Sequence, residues 1–150
     1  MKKLANYTDN NKINRIIDAN INRTKEGLRV CEEIARFILS DRTLTAGFKE
    51  IRHKITSEVK KLFLTKELLA ARESRFDAGR NIQANELNRR NLSDIFLANI
   101  QRVKESIRVL EEFSKLTSKK SALKFKKMRY NIYEIEKKAL RKIAALRNLR

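Results

Sequence analysis

Apolar residues recur along this chain in steps of three and four over long stretches, the spacing of one face of an α-helix. The first series is Ile13, Ile17, Ile21, Leu28, Cys31, Ala35 and Ile38, with Thr24 as its polar member. It predicts a long helix, preceded by residues 1–9, which carry no periodic signal and read as a frayed start. Ser40-Asp41-Arg42-Thr43 ends the series and supplies residues that can cap the next helix. Leu44, Phe48, Ile51, Ile55, Val59 and Leu62 predict that second helix, and Thr65 restarts a short run through Leu68, Leu69 and Ala71. From residue 72 to about 91 the apolar content drops, the period is lost, and Gly79 sits near an Asn-rich stretch. A segment that long within a helical domain is uncommon, and it often carries function when it is not simply disordered. Ser93 or Asp94 then opens a third helix through Phe96, Ile100, Val103, Ile107 and Leu110. Thr117-Ser118 breaks it, and Phe125, Met128, Ile132, Ile135, Ala139, Ile143 and Leu146 predict the last.

The two halves echo each other. Ala19-Asn20-Ile21-Asn22-Arg23-Thr24-Lys25-Glu26-Gly27-Leu28-Arg29-Val30-Cys31-Glu32-Glu33 aligns with Ala98-Asn99-Ile100-Gln101-Arg102-Val103-Lys104-Glu105-Ser106-Ile107-Arg108-Val109-Leu110-Glu111-Glu112 at an offset of 79. Phe48, Ile51-Arg52 and Ile55 likewise parallel Phe125, Met128-Arg129 and Ile132. The expected fold is all-α: a duplicated helical hairpin forming a pseudo-two-fold four-helix core, with a long functional loop between the halves. On this reading residues 1–150 are one domain, with repeats at about 13–71 and 92–149 and a loop at 72–91.

Composition narrows the alternatives. A chain of 150 residues with three Gly, no Pro and no Trp lacks the turn residues of a many-stranded sheet and the glycines of a dinucleotide-binding unit. The single Cys31 excludes an intrachain disulfide and a Cys-based metal site. No apolar run approaches the roughly 20 residues of a membrane span, and the start has no apolar signal segment, so the expectation is a cytoplasmic protein with no membrane partner. The 36 Lys and Arg against 18 Asp and Glu give a net charge of +18. Thirteen of those cations against two acids lie between Lys115 and Arg150. Such clustering attracts polyanions, but a solvated helix face is the better-supported explanation.

On a helical wheel Asn20, Arg23, Gly27 and Val30 flank the apolar stripe, with Glu26 and Glu33 farther out. One explanation is a half-buried network, Arg23 to Glu26, Arg29 to Glu33, and Asn20 bridging helices. The other is a polar cleft where Asn20, Arg23, Asn99 and Arg102 meet a small anionic ligand, with small Gly27 leaving room for it. Arginine suits phosphate because its planar fork binds two oxygens. The residues alone leave both open. The loop adds Arg72, Asp77, Gly79, Glu86 and Arg89, which are sufficient in kind for phosphoryl transfer: cations for phosphate and carboxylates for Mg²⁺. No P-loop or G-x-G-x-x-G is present, so a kinase site would be of another type. His53, the one histidine, reads as packing or surface.

The string Ile17-Asp18-Ala19-Asn20…Arg23…Glu26-Gly27-Leu28-Arg29-Val30…Glu32-Glu33 resembles the first helix of the monofunctional hydroxymethylpyrimidine-phosphate kinases of thiamine biosynthesis. Arg72-Glu73…Asp77-Ala78-Gly79…Glu86…Arg89…Asp94-Ile95…Ala98-Asn99…Arg102…Glu105…Arg108-Val109-Leu110-Glu111-Glu112 resembles that family's second half. The likeness covers roughly residues 13 to 135. Members occur alone or fused in front of thiamine-phosphate synthase, whose barrel of about 200 residues or more would not fit in this length.

The resemblance implies a kinase that uses ATP and Mg²⁺ to convert 4-amino-5-hydroxymethyl-2-methylpyrimidine phosphate to the diphosphate, which passes to thiamine-phosphate synthase. It singles out Asp77, in the segment most like the family, as the carboxylate that holds Mg²⁺ or orients the acceptor phosphate, with Glu86 as the next metal candidate. Asn20, Arg23, Arg72, Gly79, Arg89, Asn99 and Arg102 are the expected phosphate and substrate contacts. The competing expectation for Asp77 is a turn cap bonded to Gly79 or Arg80. Competing functions are a non-catalytic basic helical module that binds nucleic acid, and an accessory domain of thiamine-phosphate synthase. Sparse aromatics on the basic surface argue against a specific nucleic-acid partner. The oligomeric state, a homo-oligomer included, stays open.

Overall fold

The computed structural model describes residues 2–81 and 84–148, with the side chains of 9–81 and 85–147. Met1, Ile82, Gln83 and residues 149 and 150, the first of them the expected end of the second repeat, lie outside them. The described residues are all-helical with no strand: α1 (Lys2–Glu33), α2 (Arg42–Leu62), α3 (Thr65–Ala71), α4 (Leu92–Ser114) and α5 (Lys119–Asn148). The first helix begins well before the expected start at Ile13. Residues 2–12 contain no Gly or Pro to interrupt a helix already nucleated by the buried turns that follow. No described helix is long and apolar enough to cross a membrane.

The ends of the helices follow local chemistry. Asp41 caps α2, its carboxylate accepting from the Leu44 N–H at 2.8 Å. Asn91, not Ser93 or Asp94, caps α4, accepting from the Asp94 N–H at 3.0 Å. An Asn side chain satisfies a first-turn donor well, which moves the start to Leu92. Ser118 plays the same part for α5, accepting from the Ser121 N–H at 3.2 Å. The first hairpin connection is longer than the second: the offset of matched residues falls from 79 on the first helices to 77 on the second. A π-helical turn at Ile34–Ile38 and a left-handed Ser40 (φ 50°) take up that stretch.

The antiparallel α1 and α4 form the centre of the bundle, with α2 against α1 and α5 against α4. Between them lies one core that includes Phe48, Phe96, Phe125, Ile17, Leu28, Ile55, Ile107 and Ile132. The Phe48 and Phe96 rings meet edge to face at 6.2 Å, a favoured aromatic geometry. At the α1–α4 crossing, Thr24 and Ser106 share a buried hydroxyl–hydroxyl hydrogen bond of 2.6 Å. Beside it, a Cβ built on Gly27 would lie 2.7 Å from Val103 Cγ2 and 2.9 Å from the Asn99 carbonyl oxygen. Gly27 therefore lets two backbones approach; the room it leaves is filled by α4 and not by a ligand.

Contacts recur at the sequence offset. Thr24–Ser106 and Val103–Gly27 join the same two positions of each repeat, exchanged. Arg29 pairs with Glu32 (3.3 Å) and Glu33 (3.2 Å), and Arg108 with Glu111 (3.1 Å) and Glu112 (3.1 Å). Across each hairpin the buried Glu32 meets Arg52 and the buried Glu111 meets Arg129, both at 3.0 Å. A buried carboxylate with a paired guanidinium fixes the register of two helices, since a slip would strand a charge. The expected Arg29–Glu33 pair is thus present. Arg23–Glu26 is not among the ion pairs, and Asn20 bonds its own helix at Ile16 O (2.8 Å) without bridging. The equivalent Asn99 does the same with Ile95 O at 2.8 Å.

Two measurements test this frame. Gly27→Ala forces a methyl against backbone that cannot step aside; overpacking costs of about 1–3 kcal/mol outweigh the gain of up to about 1 kcal/mol in helix propensity. Thermal denaturation should show a lower Tm, and an unchanged Tm would mean the helices separate freely. The second concerns Glu58, buried on α2. Burial raises its carboxyl, but hydrogen bonds from Ser121, Lys61 and Lys124 outweigh that and hold it below its ordinary value of about 4.5. A lowered folded value stabilises the fold above the ordinary range, and the contribution is lost as pH falls through the folded value. The Tm gap between wild type and Glu58→Gln should be widest near neutrality and narrow below pH of about 4. A gap that is constant with pH would overturn the assignment.

Candidate functional site

Arg23 on α1 and Arg102 on α4 stand at matching positions of the 79-residue offset, each four residues before its partner in the crossing, Gly27 and Ser106 respectively. The tight crossing carries both to the rim of one cleft of about 550 Å³. Asn20 lines it from α1. Ala98, Gln101, Glu105, Ser106 and Val109 line it from α4, and Gly79 and Glu86 reach it from the long loop. That volume is in the range of small-molecule sites, about 300–1,000 Å³. Neither guanidinium has a hydrogen-bond or ion-pair partner among the described residues. Two free planar forks therefore border one cleft, the donor geometry that carboxylate or phosphate oxygens can meet.

The other candidates separate. Asn99 does not line the cleft; its carbonyl packs on Gly27 and its amide is bound to Ile95 O. Arg72 holds the nearly buried Asp18 through both carboxylate oxygens, Nε to Oδ2 at 2.7 Å and Nη2 to Oδ1 at 2.9 Å. Its fork is already occupied, and the pair pins the start of the loop to α1. Arg15 adds a second tie, donating to the Glu73 carbonyl at 2.8 Å. Arg89 is exposed and donates to the Asn88 carbonyl at 2.9 Å. Asp77 is exposed too. Its Oδ1 accepts from the Gly79 N–H at 2.8 Å, while its carbonyl accepts from the Arg80 N–H at 3.1 Å. It builds the turn that presents Gly79 to the cleft. Glu86 sits in a 3-10 turn, Ala84–Leu87, and is the loop carboxylate that lines the cleft.

Among the described residues no group of three or more His, Cys, Asp or Glu comes together. A Mg²⁺ ion does not require one, since it commonly binds through one or two carboxylates together with substrate phosphates. The single carboxylates Glu86 and Glu105 at the cleft suit that arrangement. His53 is exposed on α2, away from the cleft. Cys31 is fully buried, and burial, with the nearby Glu136 charge, pushes its thiol up to about 12, so it is not a nucleophile.

Sequence reasoning overlooked Gln101 and Glu105 as lining residues, although both lie in the repeated string. It also overlooked Asp18, whose role depends on a residue 54 positions away. The basic face of α5 is largely solvent-exposed, while Ala122, Phe125, Met128, Ile132, Ile135, Ala139 and Ile143 form its buried stripe.

Comparison with known proteins adds an independent line. The chain is 37% identical over 137 residues to a thiamine-phosphate synthase of Thermosynechococcus vestitus, covering 91% of this chain and 38% of that protein. It is 39% identical over 123 residues to one of Nostoc punctiforme (81% and 34%), and 36% identical over 133 residues to one of Rhodopirellula baltica (88% and 35%). The chain thus spans little more than a third of the length of these relatives. No solved structure matches it. The ThiD2 family matches residues 15–138, which includes both arginines, the loop and the α1–α4 crossing, and the chain belongs to that family.

Proposed function

We propose that this chain is the kinase of thiamine biosynthesis that converts 4-amino-5-hydroxymethyl-2-methylpyrimidine phosphate to the diphosphate with ATP and Mg²⁺, its product passing to thiamine-phosphate synthase. The observation that carries the reading is the pair of unpartnered guanidiniums, Arg23 and Arg102, facing one cleft under a loop in a member of this family. The curated relatives are thiamine-phosphate synthases, which supports the pathway.

The chemistry asks little of acid–base groups. A phosphate monoester loses its second proton near pH 6, so the acceptor is already a dianion at neutral pH. One of its oxygens bonds to the γ-phosphorus of ATP as the bond from that phosphorus to the bridging oxygen breaks, and ADP leaves. The barrier then lies in bringing two polyanions together and holding them in line. Arg23 and Arg102 offset that repulsion. Glu86 and Glu105 are the carboxylates placed to hold Mg²⁺, which would neutralise charge on the transferred group. Gly79, with no side chain, lets the loop backbone come close to the phosphates. The absence of an imidazole from the cleft is in keeping with a reaction that needs no general base.

A second reading, an accessory domain that supports a thiamine-phosphate synthase without catalysis, draws on the names of the relatives alone. Turnover of the pyrimidine monophosphate with ATP and Mg²⁺, followed by ³¹P NMR, separates the two; no diphosphate formed would remove the kinase reading. Arg23→Ala or Arg102→Ala should weaken substrate binding about tenfold or more, as one charge-assisted phosphate contact is worth about 1.5–3 kcal/mol. Because neither side chain ties the fold, Tm should stay near wild type in both. Asp77→Asn retains the acceptor for Gly79 N–H and removes only charge, so turnover and Tm should both stay near wild type. Glu86→Gln should instead lower turnover about a hundredfold. A loss of that size in Asp77→Asn would return the metal or phosphate role to Asp77.

A further inference from the structure

Beside the cleft lies a second hollow of about 420 Å³, on the α5 side of α4. Gln101 and Glu105 line both, so the two share one wall of α4. The hollow is completed by Lys104, Arg108, Arg129 and Tyr133. Its cations differ from those of the cleft in being committed. Lys104 pairs with Glu136 at 3.0 Å, Arg108 with Glu111 and Glu112, and Arg129 with Glu111. It therefore offers little to a phosphate. What it offers is an aromatic wall. Tyr133 is 38% exposed, and its hydroxyl accepts from Arg129 Nη1 at 2.9 Å, which fixes the ring. Tyr130 braces it edge to face at 5.6 Å, and the Arg129 guanidinium and the Lys104 ammonium each lie 5.8 Å from the Tyr133 ring centre, so a stacked ring would share that face with a cation.

The repeat supplies an internal comparison. An equivalent hollow lies on the other hairpin, lined by Asn22, Lys25, Glu26, Arg29 and Arg52, the counterparts of Gln101, Lys104, Glu105, Arg108 and Arg129. There the positions of Tyr130 and Tyr133 are His53 and Thr56. The charged frame that holds the hairpins in register is common to both. Tyr133 lines only the hollow that shares Gln101 and Glu105 with the cleft reached by Gly79 and Glu86. Packing needs common to both hairpins do not explain it.

We infer that this hollow is the subsite for the heteroaromatic ring of a phosphorylated ligand, stacked on Tyr133, with its phosphates running past Gln101 to Arg23 and Arg102. The inference rests on the kinase reading for its ligands, a nucleotide donor and a pyrimidine acceptor, both of which carry such a ring. Stacking of a base on an aromatic side chain is worth about 1–3 kcal/mol, or about five- to 150-fold in affinity.

Calorimetric titration of the full chain with three probes tests it: a non-hydrolysable ATP analogue, the pyrimidine monophosphate, and inorganic triphosphate. Tyr133→Leu should weaken one of the two ring-bearing probes about tenfold or more, and which one it weakens names the occupant. Inorganic triphosphate should bind Tyr133→Leu as it binds wild type. Tyr133→Phe, which keeps the ring, should restore affinity to within a few fold. Equal binding of both ring-bearing probes by wild type and Tyr133→Leu overturns the proposal. So does a loss shared by triphosphate, and so does a wild type that binds neither ring-bearing probe. Binding that depends on Tyr133 without turnover would sink the kinase reading and leave the subsite. Turnover with a KM indifferent to Tyr133→Leu would do the reverse.

Discussion

The close crossing of α1 and α4 sets the rest of the molecule. Two helices can touch along their backbones only where side chains are small, and here Gly27 lies against Val103 and the Asn99 carbonyl while Thr24 bonds Ser106. Each of those two hydroxyls also has its own helix's carbonyl as an acceptor, Asn20 O for Thr24 and Arg102 O for Ser106. The buried polar pair is thereby satisfied in either proton arrangement. It specifies one register where an all-aliphatic contact would tolerate several. Because Arg23 and Arg102 stand at fixed distances along the chain from these contacts, the crossing that holds the core together also determines where the free guanidiniums meet.

Charge is handled in two ways on either side of that crossing. The buried carboxylates Glu32, Glu58 and Glu111 each have cationic partners from a neighbouring helix, and Asp18 is held by Arg72. These pairs pack the hairpins and tie the loop, and they consume the cations that make them. With net charge +18, the protein has many cations left over, and a large share of them project from α5 into water. Arg23 and Arg102 belong to neither group. They are exposed, line one concave surface, and have no carboxylate partner among the described residues.

Much of this was legible in the sequence, for identifiable reasons. The helices follow from apolar positions that recur with a helical period, and the repeated Asn, Arg and Glu residues marked the faces that meet. The start of α1 was not legible, since residues 2–12 have no apolar period to reveal a helix carried forward from the core. Gly27 was read as space for a ligand because a wheel shows which face a residue occupies but not what packs on it. Arg72 looked like a phosphate contact until Asp18 was found to occupy its fork. The hollow beside Tyr133 was invisible for the same reason: its walls come from α4 and α5, and only packing brings them together.

The equivalence of Arg23 and Arg102 has a consequence for occupancy. Had the repeated arginines been turned outward, a doubled hairpin would present the same recognition element on two separate faces and could load two ligands. Here the matching positions converge on one cleft, and the connecting segment, tied to α1 by Asp18 and Arg72, brings Gly79 and Glu86 to it. The like positions of the two helices thus share a lining whose other members, from the loop, have no matching counterpart, so the symmetry of the hairpins is broken where their arginines come together.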